Sequence, residues 1–453
     1  MTPPETATSA RRPSADGATT SAQRSAVGPA LGAALLWLGS RLTLLALFFG
    51  AELTVWWDVY YYFTKITGLP TAGLAHTLVE YPTPVVWWLQ LPQLLGGHGQ
   101  TAYVALFMTL MGLLDAGLTA WLWVRGRRAG STAAAYYWMV FILLIGPLVY
   151  TRFDLLPSVL AAVALLLLAR APGVSGGLVA VGAAIKLWPA LLITGLFGRR
   201  RSRTAVWIGF VATGVVLVVL SLVAGGWDRL VSPLTWQGGR GLQIESVWAT
   251  PAMVNVLAHP GRYVIQFSSF QAYEVFGPGV GPLLTVASVA TVVGGLAILA
   301  LGVRAWLSRG HDLYTDAMIM TAVIAVMIVT NKTFSPQYLI WLGGPLAVLV
   351  LSRSGRAAAT DRGLLVLPLV LAVLTQLIFP LFYGWLTDAG PGTGRTLMTL
   401  VLAVRNIGML AFTVMAFGRA WSLLGADRTA AVDPDDPDDP DDPDDRSDVR
   451  KPR

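Results

Sequence analysis

"RTAVWIGFVATGVVLVVLSLVAG", residues 203–225, carries a single charge, and that charge is its first residue. An α-helix rises about 1.5 Å per residue, so a run of this length crosses the ~30 Å hydrocarbon layer of a bilayer. A helix on the surface of a soluble domain keeps one polar face, and this one has none. The stretch reads as a membrane span, and the remainder of the chain has to be read against a bilayer.

Outward from it, apolar length predicts further spans near 30–50, 101–124, 132–150, 154–170, 281–303, 313–330, 335–351, 363–383 and 396–420, which makes ten crossings in all. Composition agrees: of 453 residues, 55% are hydrophobic and 13% charged, with a mean hydropathy of +0.62. Two more stretches, "TPVVWWLQLPQLLG" (83–96) and "SGGLVAVGAAIKLWPALLITGLF" (175–197), are short or broken by proline. They read as re-entrant or half-helical pairs buried in protein, where freed backbone groups can find partners. The expected fold is an all-α polytopic membrane protein of about 10–12 transmembrane helices, its long first outer loop bearing interfacial helices.

The ends differ from this body. Residues 1–28, rich in Ala, Ser, Thr and Pro, read as a disordered cytoplasmic arm rather than a cleavable signal. Residues 426–453 contain "DPDDPDDPDDPDD", a proline-spaced acidic repeat that cannot build a core. Residues 29–425 are left as the transmembrane domain. The chain has no cysteine, which excludes disulfides, thiolate metal sites and a cysteine nucleophile.

Arginines set the orientation. "RGRR" (125–128), "RRRSR" (199–203), "RAWLSR" (304–309) and "RSGRAAATDR" (353–362) hold twelve of them, and the positive-inside rule puts these turns and both termini in the cytoplasm of a multi-pass plasma-membrane protein. The basic balance is thereby explained without nucleic acid. The intervening segments 51–100, 151–153, 226–280, 331–334 and 384–395 then face outward. They contain or border most of the sparse acids between the tails: Glu52, Asp58, Glu80, Asp154, Asp228, Glu245, Glu274 and Asp388. Lys65, Arg152, Arg240 and Lys332 are interspersed with them. Any chemistry is expected outside.

A donor delivered to that face has no nucleotide available. An activated group would arrive on a lipid-linked phosphate, whose headgroup needs Arg or Lys at the membrane boundary. No pair of histidines has metal-ligand spacing, so no metal site is expected. No Walker or dinucleotide motif is present. No cofactor is expected; the outer loop lacks a paired-carboxylate motif, and a divalent cation assisting the phosphate is the alternative.

"EYPTP" (80–84), "TRFDLLPSVLAAVALLLLAR" (151–170), "GAAIKLWPALLI" (182–193), "GRGLQIESVWA" (239–249) and "TNKTFSPQYLIW" (330–341) together resemble the recurring blocks of glycosyltransferase family 87, in family order. Those are polyprenyl-phosphate-mannose-dependent α-mannosyltransferases of the GT-C superfamily. The resemblance implies a GT-C-like bundle, a polyprenyl-phosphate sugar donor, and a glycolipid or lipoglycan acceptor among the membrane lipids. It implies a single inverting displacement, with an acid in the first outer loop as general base. Asp58, in "VWWDVYYY" (55–62), holds that place. Arg152, Arg240, Lys332 and Lys186 are the implied donor-phosphate ligands. Glu80, Tyr81, Asp154, Gln243, Glu245 and Asn331 are the implied acceptor or sugar contacts.

Each residue has a plainer alternative. Asp58 and Asp154 could cap helices. Lys332 could snorkel to the interface. Glu80 could anchor an interfacial loop, and Arg240 could lie in a plain surface loop. Lys186, beside Trp188 and Pro189, could satisfy carbonyls freed by the proline. Arg41 and Asp115, within spans, are expected to pair between neighbouring helices, and Arg405 to face the bundle interior. Two other functions also stay open: a polyprenyl-phosphate transferase moving arabinofuranose or glucose, and a lipid-linked-sugar flippase or transporter.

Overall fold

The structure is a computed structural model that describes residues 15–198, 200–308, 310–353, 359–387, 390 and 392–430. Residues 431–453 of the expected tail, Asp388 and residues 1–14 of the expected arm lie outside the described residues; residues 15–28 continue the first helix, Ala15–Gly50, and residues 426–430 belong to the last, Thr393–Ala430. Among the described residues, seven helices are long and apolar enough to cross a membrane: Gly28–Gly50, Gln100–Arg128, Arg200–Gly238, Val280–Leu307, Leu313–Thr330, Asp361–Leu381 and Thr393–Gly425. The protein is an all-α polytopic membrane protein. Its burial is inverted where a bilayer would lie: Leu313–Thr330 is enclosed by other helices, whereas Arg200–Gly238 presents Ile208, Val215, Val219 and Val223 outward.

Three of the ten predicted crossings are not full-length helices. Ala133–Ile145, Leu155–Leu167 and Ile340–Ser352 have 13 residues each, about 20 Å, less than the hydrocarbon layer. Residues 132–150 read as one span because apolar length ignores breakers. Gly146, at φ 84°, and Pro147 end the first piece, and the chain resumes as Leu148–Thr151. These short helices lie in the centre of the bundle, where protein replaces lipid. Ser158 Oγ accepts from the Gly344 backbone N–H at 3.0 Å, and a Cβ at Gly344 would collide with the Ser158 carbonyl.

Of the two stretches expected to be broken, 83–96 is instead a single helix, Thr83–Leu94, with Pro92 in its last turn. The other does break: Pro172–Ile185 ends at Lys186, whose backbone is extended, and Trp188–Leu196 returns as a 3₁₀ helix. Gly173 faces Gly209 and Gly176 faces Val206, so closely that a Cβ on Gly176 or Gly209 would strike the opposite backbone. Small residues at such a crossing let two helices in a membrane gain van der Waals contact that no apolar side chain could allow. Arg41 and Asp115 pair as expected, with two contacts of 2.8 Å.

The described parts of the arginine turns lie at one end of the bundle. Arg125 donates to the Leu166 carbonyl, Arg203 to the Phe197 and Ser308 carbonyls, and Arg419 to Asp361. At the opposite end the connections fold over one another. They include the helix Trp57–Thr67, which buries Val59, Tyr62 and Ile66, and the helix Thr250–Ala258. The all-α expectation missed one antiparallel hairpin, β1 Val264–Phe267 with β2 Tyr273–Phe276, registered Val264 to Phe276. This end has its own apolar core, in which Leu242, Ile244, Met253 and Val275 meet Met398 and Leu402 of the last helix. That core fixes the 239–249 loop.

Candidate active site

One cavity of about 1460 Å³ opens among these connections. The helix Trp57–Thr67 brings Asp58 and Tyr61 to it, one turn apart on the same face, because residues three or four apart share a side of a helix. "EYPTP" brings Glu80 and Tyr81. Arg229 fixes that segment by donating to the carbonyls of Leu74, Thr77, Leu78 and Tyr81, a clamp from the Arg200–Gly238 helix that nothing local in the sequence announces. Arg152 projects from the turn between Leu148–Thr151 and Leu155–Leu167, and Lys186 from the break in its helix. Arg240, Gln243 and Glu245 come from the 239–249 loop, and Asn331 and Lys332 from the end of Leu313–Thr330.

Asp58 forms an ion pair with Arg152 and caps no helix: the residue at the N-cap is Trp56. Its side chain keeps 29% of its surface exposed, enough to meet a hydroxyl group entering the cavity. Tyr61 Oη donates to Glu80 Oε1 at 2.8 Å. Burial first and Glu80 second push the Tyr61 hydroxyl above its ordinary pKa, so it stays a donor. Tyr81 is held edge-on against Phe153, with ring centroids 5.0 Å apart.

Asp154 is the one expected contact that does not line the cavity, and it makes no capping hydrogen bond either. It is buried behind the wall, accepting 2.6 Å bonds from Lys186 Nζ and Trp341 Nε1. Lys186 reaches the cavity, but its ammonium also lies 5.2–5.5 Å from the ring centroids of Phe153, Tyr338 and Trp341. Its charge is already met by a carboxylate and three aromatic faces.

Arg240 and Lys332 differ. Lys332 Nζ donates only to carbonyls, at 2.7 Å to Arg240 and 3.1 Å to Gly238. Arg240 bonds the Phe270 carbonyl at the hairpin tip, and its buried Nε has no partner. Burial and the neighbouring Arg240 charge lower the Lys332 pKa, against a smaller opposing pull from Glu274. Two cations side by side without an ion-paired carboxylate make a place for an anion. Asn331 Oδ1 is turned into its own loop, accepting from the Thr333 N–H and hydroxyl.

Glu245 lies at the cavity floor, 1% exposed. Burial raises its pKa to about 7 against the opposing pull of Arg405, Tyr383 and Arg152. Burial likewise brings the Arg152 guanidinium down to about 10, although Asp154 and Glu245 favour its charge. Tyr383 and Arg405 were missed as parts of this site. Arg405 was visible only as a charge inside a span; Tyr383 gave no signal. Among the described residues no cluster of His, Asp and Glu could hold a metal ion.

An apolar strip continues the cavity between helices, lined by Leu187, Leu191, Ala287 and Met327. The wall belongs in part to Val280–Leu307 and Leu313–Thr330, so it runs from the polar chamber toward the depth a bilayer would occupy. The whole can hold a polar headgroup, an anion and an alkyl chain together.

No curated protein and no solved structure matches the chain. The sequence model of Glycosyltransferase family 87 matches residues 81–330, a span that takes in most of the cavity's walls. With more than half of the sequence inside that match, the chain belongs to glycosyltransferase family 87 and is a membrane glycosyltransferase.

Proposed function

We propose that the protein transfers a mannosyl residue from polyprenyl-phosphate mannose to a glycolipid or lipoglycan acceptor at the outer face of the plasma membrane, with inversion. The observation that carries this reading is the single cavity in which Asp58 shares space with Arg240 and Lys332 at the head of an apolar strip. A polyprenyl tail fits the strip. Its phosphate belongs at Arg240 and Lys332, because Arg152 and Lys186 are each paired with a carboxylate. The acceptor then approaches from the side of Asp58, Tyr61 and Glu80. The outer-face assignment rests on the arginine turns, whose described residues lie at the end opposite the cavity.

In the reaction the acceptor oxygen attacks the anomeric carbon while the bond from that carbon to the phosphate oxygen breaks. The hydroxyl proton passes to Asp58, and polyprenyl phosphate leaves. Arg152 holds Asp58 in place through their ion pair, and the cations carry the charge gained by the leaving group. No acid is needed, since a phosphate monoester departs as an anion; one carboxylate suffices where a glycosidase uses two.

The test is purified protein in lipid, given radiolabelled polyprenyl-phosphate mannose and candidate acceptors. Asp58→Asn should lower transfer about 10²- to 10⁴-fold, the usual share of a general base, with donor binding retained. Transfer at the wild-type rate by this variant overturns the assignment. A flippase would instead move the headgroup and release no polyprenyl phosphate.

A further inference from the structure

Glu245 is a buried carboxylate with an unspent oxygen. Gln243 Nε2 donates to Oε2 at 3.3 Å, and Oε1 has no partner. Removing a carboxylate from water while leaving an oxygen unbonded costs free energy, and such a group persists where a ligand completes it.

Its surroundings hold it still. Gln243 is fixed at both ends of its amide: Oε1 accepts from the Phe334 N–H at 2.7 Å, and Nε2 also reaches Ser335 Oγ at 3.1 Å. The Glu245 carbonyl accepts from Arg405 at 2.9 Å, and Asn406 bonds the next carbonyl, that of Ser246, at 3.1 Å. Three stretches of chain, 243–246, 334–335 and 405–406, therefore meet around this residue and fix its backbone and its Gln243 neighbour, the kind of bracing that a discriminating contact needs.

Its place relative to the proposed phosphate site decides what it meets. The Gln243 N–H donates to the Lys332 carbonyl at 3.2 Å, so the loop bearing Glu245 starts at the Arg240 and Lys332 pair. The sugar is the group bonded directly to that phosphate. Asp58, Tyr61 and Glu80 line the cavity from a different segment, which leaves them to the acceptor.

We propose that Glu245, braced by Gln243, accepts hydrogen bonds from adjacent hydroxyls of the donor sugar and thereby determines which sugar is transferred. This rests on the reading of the cavity as a polyprenyl-phosphate sugar site. A carboxylate with a free oxygen is an acceptor only, so it rewards two hydroxyl donors and is left with a buried, unbonded oxygen when one is missing. The buried, unpartnered Nε–H of Arg152 supplies a donor in the same cavity.

The experiment measures binding and turnover separately, with polyprenyl-phosphate mannose, its 2-, 3-, 4- and 6-deoxy counterparts, and sugar-free polyprenyl phosphate. Glu245→Gln should weaken binding of the full donor about 10- to 100-fold, the range for hydrogen bonds to a charged group, with KM rising more than kcat falls. For one or two of the deoxy donors, wild type and variant should bind alike. Sugar-free polyprenyl phosphate should bind both proteins equally, which also reports an intact fold. An equal loss with every deoxy donor, or with the sugar-free lipid, overturns the assignment, as does no loss at all. Because binding does not need Asp58, a result against Glu245 leaves the base standing. If the wild type binds none of the sugar lipids, the donor-site reading falls, and this inference with it.

Discussion

Two acid–arginine pairs divide the labour of this molecule. Asp115 receives Arg41 twice at 2.8 Å, Trp138 Nε1 at 2.8 Å, Tyr150 Oη at 2.7 Å and Trp37 Nε1 at 3.1 Å. The remaining Arg41 nitrogen is taken up by Ser40 Oγ and the Met139 carbonyl. Asp58 and Arg152 form a pair too, yet Arg152 Nε is buried with no partner, and Asp58 faces a cavity. Both pairs would look alike in a count of charges. Saturation of their hydrogen bonds separates them: a fully satisfied pair holds helices together, and an incomplete one waits for a ligand.

Removing the cation from each pair should break the comparison most sharply. Arg41→Met leaves Asp115 buried and unpaired, a loss of about 3–5 kcal/mol. The variant should unfold at markedly lower temperature in detergent, and the double change Arg41→Met with Asp115→Leu should recover much of that loss. Arg152→Met should do the opposite. Asp58 is exposed enough to regain water, so thermal unfolding stays near wild type while transfer of the sugar collapses. Equal thermal losses in the two single variants would erase the distinction drawn here.

This contrast also marks what the amino-acid sequence could disclose. Charges are so scarce in the spans that Arg41 and Asp115 were each other's evident partners, and the outer acids and bases were evident candidates for a shared site. Asp154 lies behind the cavity wall because its partners, Lys186 and Trp341, come from positions 32 and 187 residues further along the chain. Apolar length likewise could not separate a lipid-facing helix such as Arg200–Gly238 from the buried Leu155–Leu167, since both are hydrophobic all round. What was hidden is long-range in each case: the Arg229 clamp, the seat of Arg405 behind Glu245, and the hairpin that binds Arg240 through the Phe270 carbonyl.

A smaller and more informative effect lies in the pH dependence of Glu245. Its pKa stands at about 7 in the fold against an ordinary 4.5, raised by burial. Raised in the folded state, it contributes stability that is complete below about 4.5 and is lost as pH rises through 7, up to about 3 kcal/mol. Donor binding should run the other way, because only the ionised carboxylate accepts from two hydroxyls: affinity should increase as pH rises through 7. Arg405 of the last helix, Arg152 of the central turn and Tyr383 face the group and hold positive or neutral charge across this range. Glu245→Gln should flatten both profiles near neutrality. Donor affinity and unfolding temperature measured from pH 6 to 8 check the opposed signs; parallel slopes would mean that Glu245 does not touch the donor.

The smallest test probes saturation itself. Trp37→Phe removes one hydrogen-bond donor from Asp115 and leaves Arg41, Trp138 and Tyr150 in place. The Trp37 bond is the longest of those five contacts, and its ring also lies 5.4 Å from the Arg41 guanidinium, a stacking that phenylalanine keeps in weaker form. With four short donors remaining, the carboxylate stays compensated, and the loss should be about 0.5–1.5 kcal/mol rather than the several that follow an unpaired charge. A thermal shift as large as that of Arg41→Met would mean that Asp115 depends on every one of its donors. The redundancy that marks this pair as structural would then be only apparent.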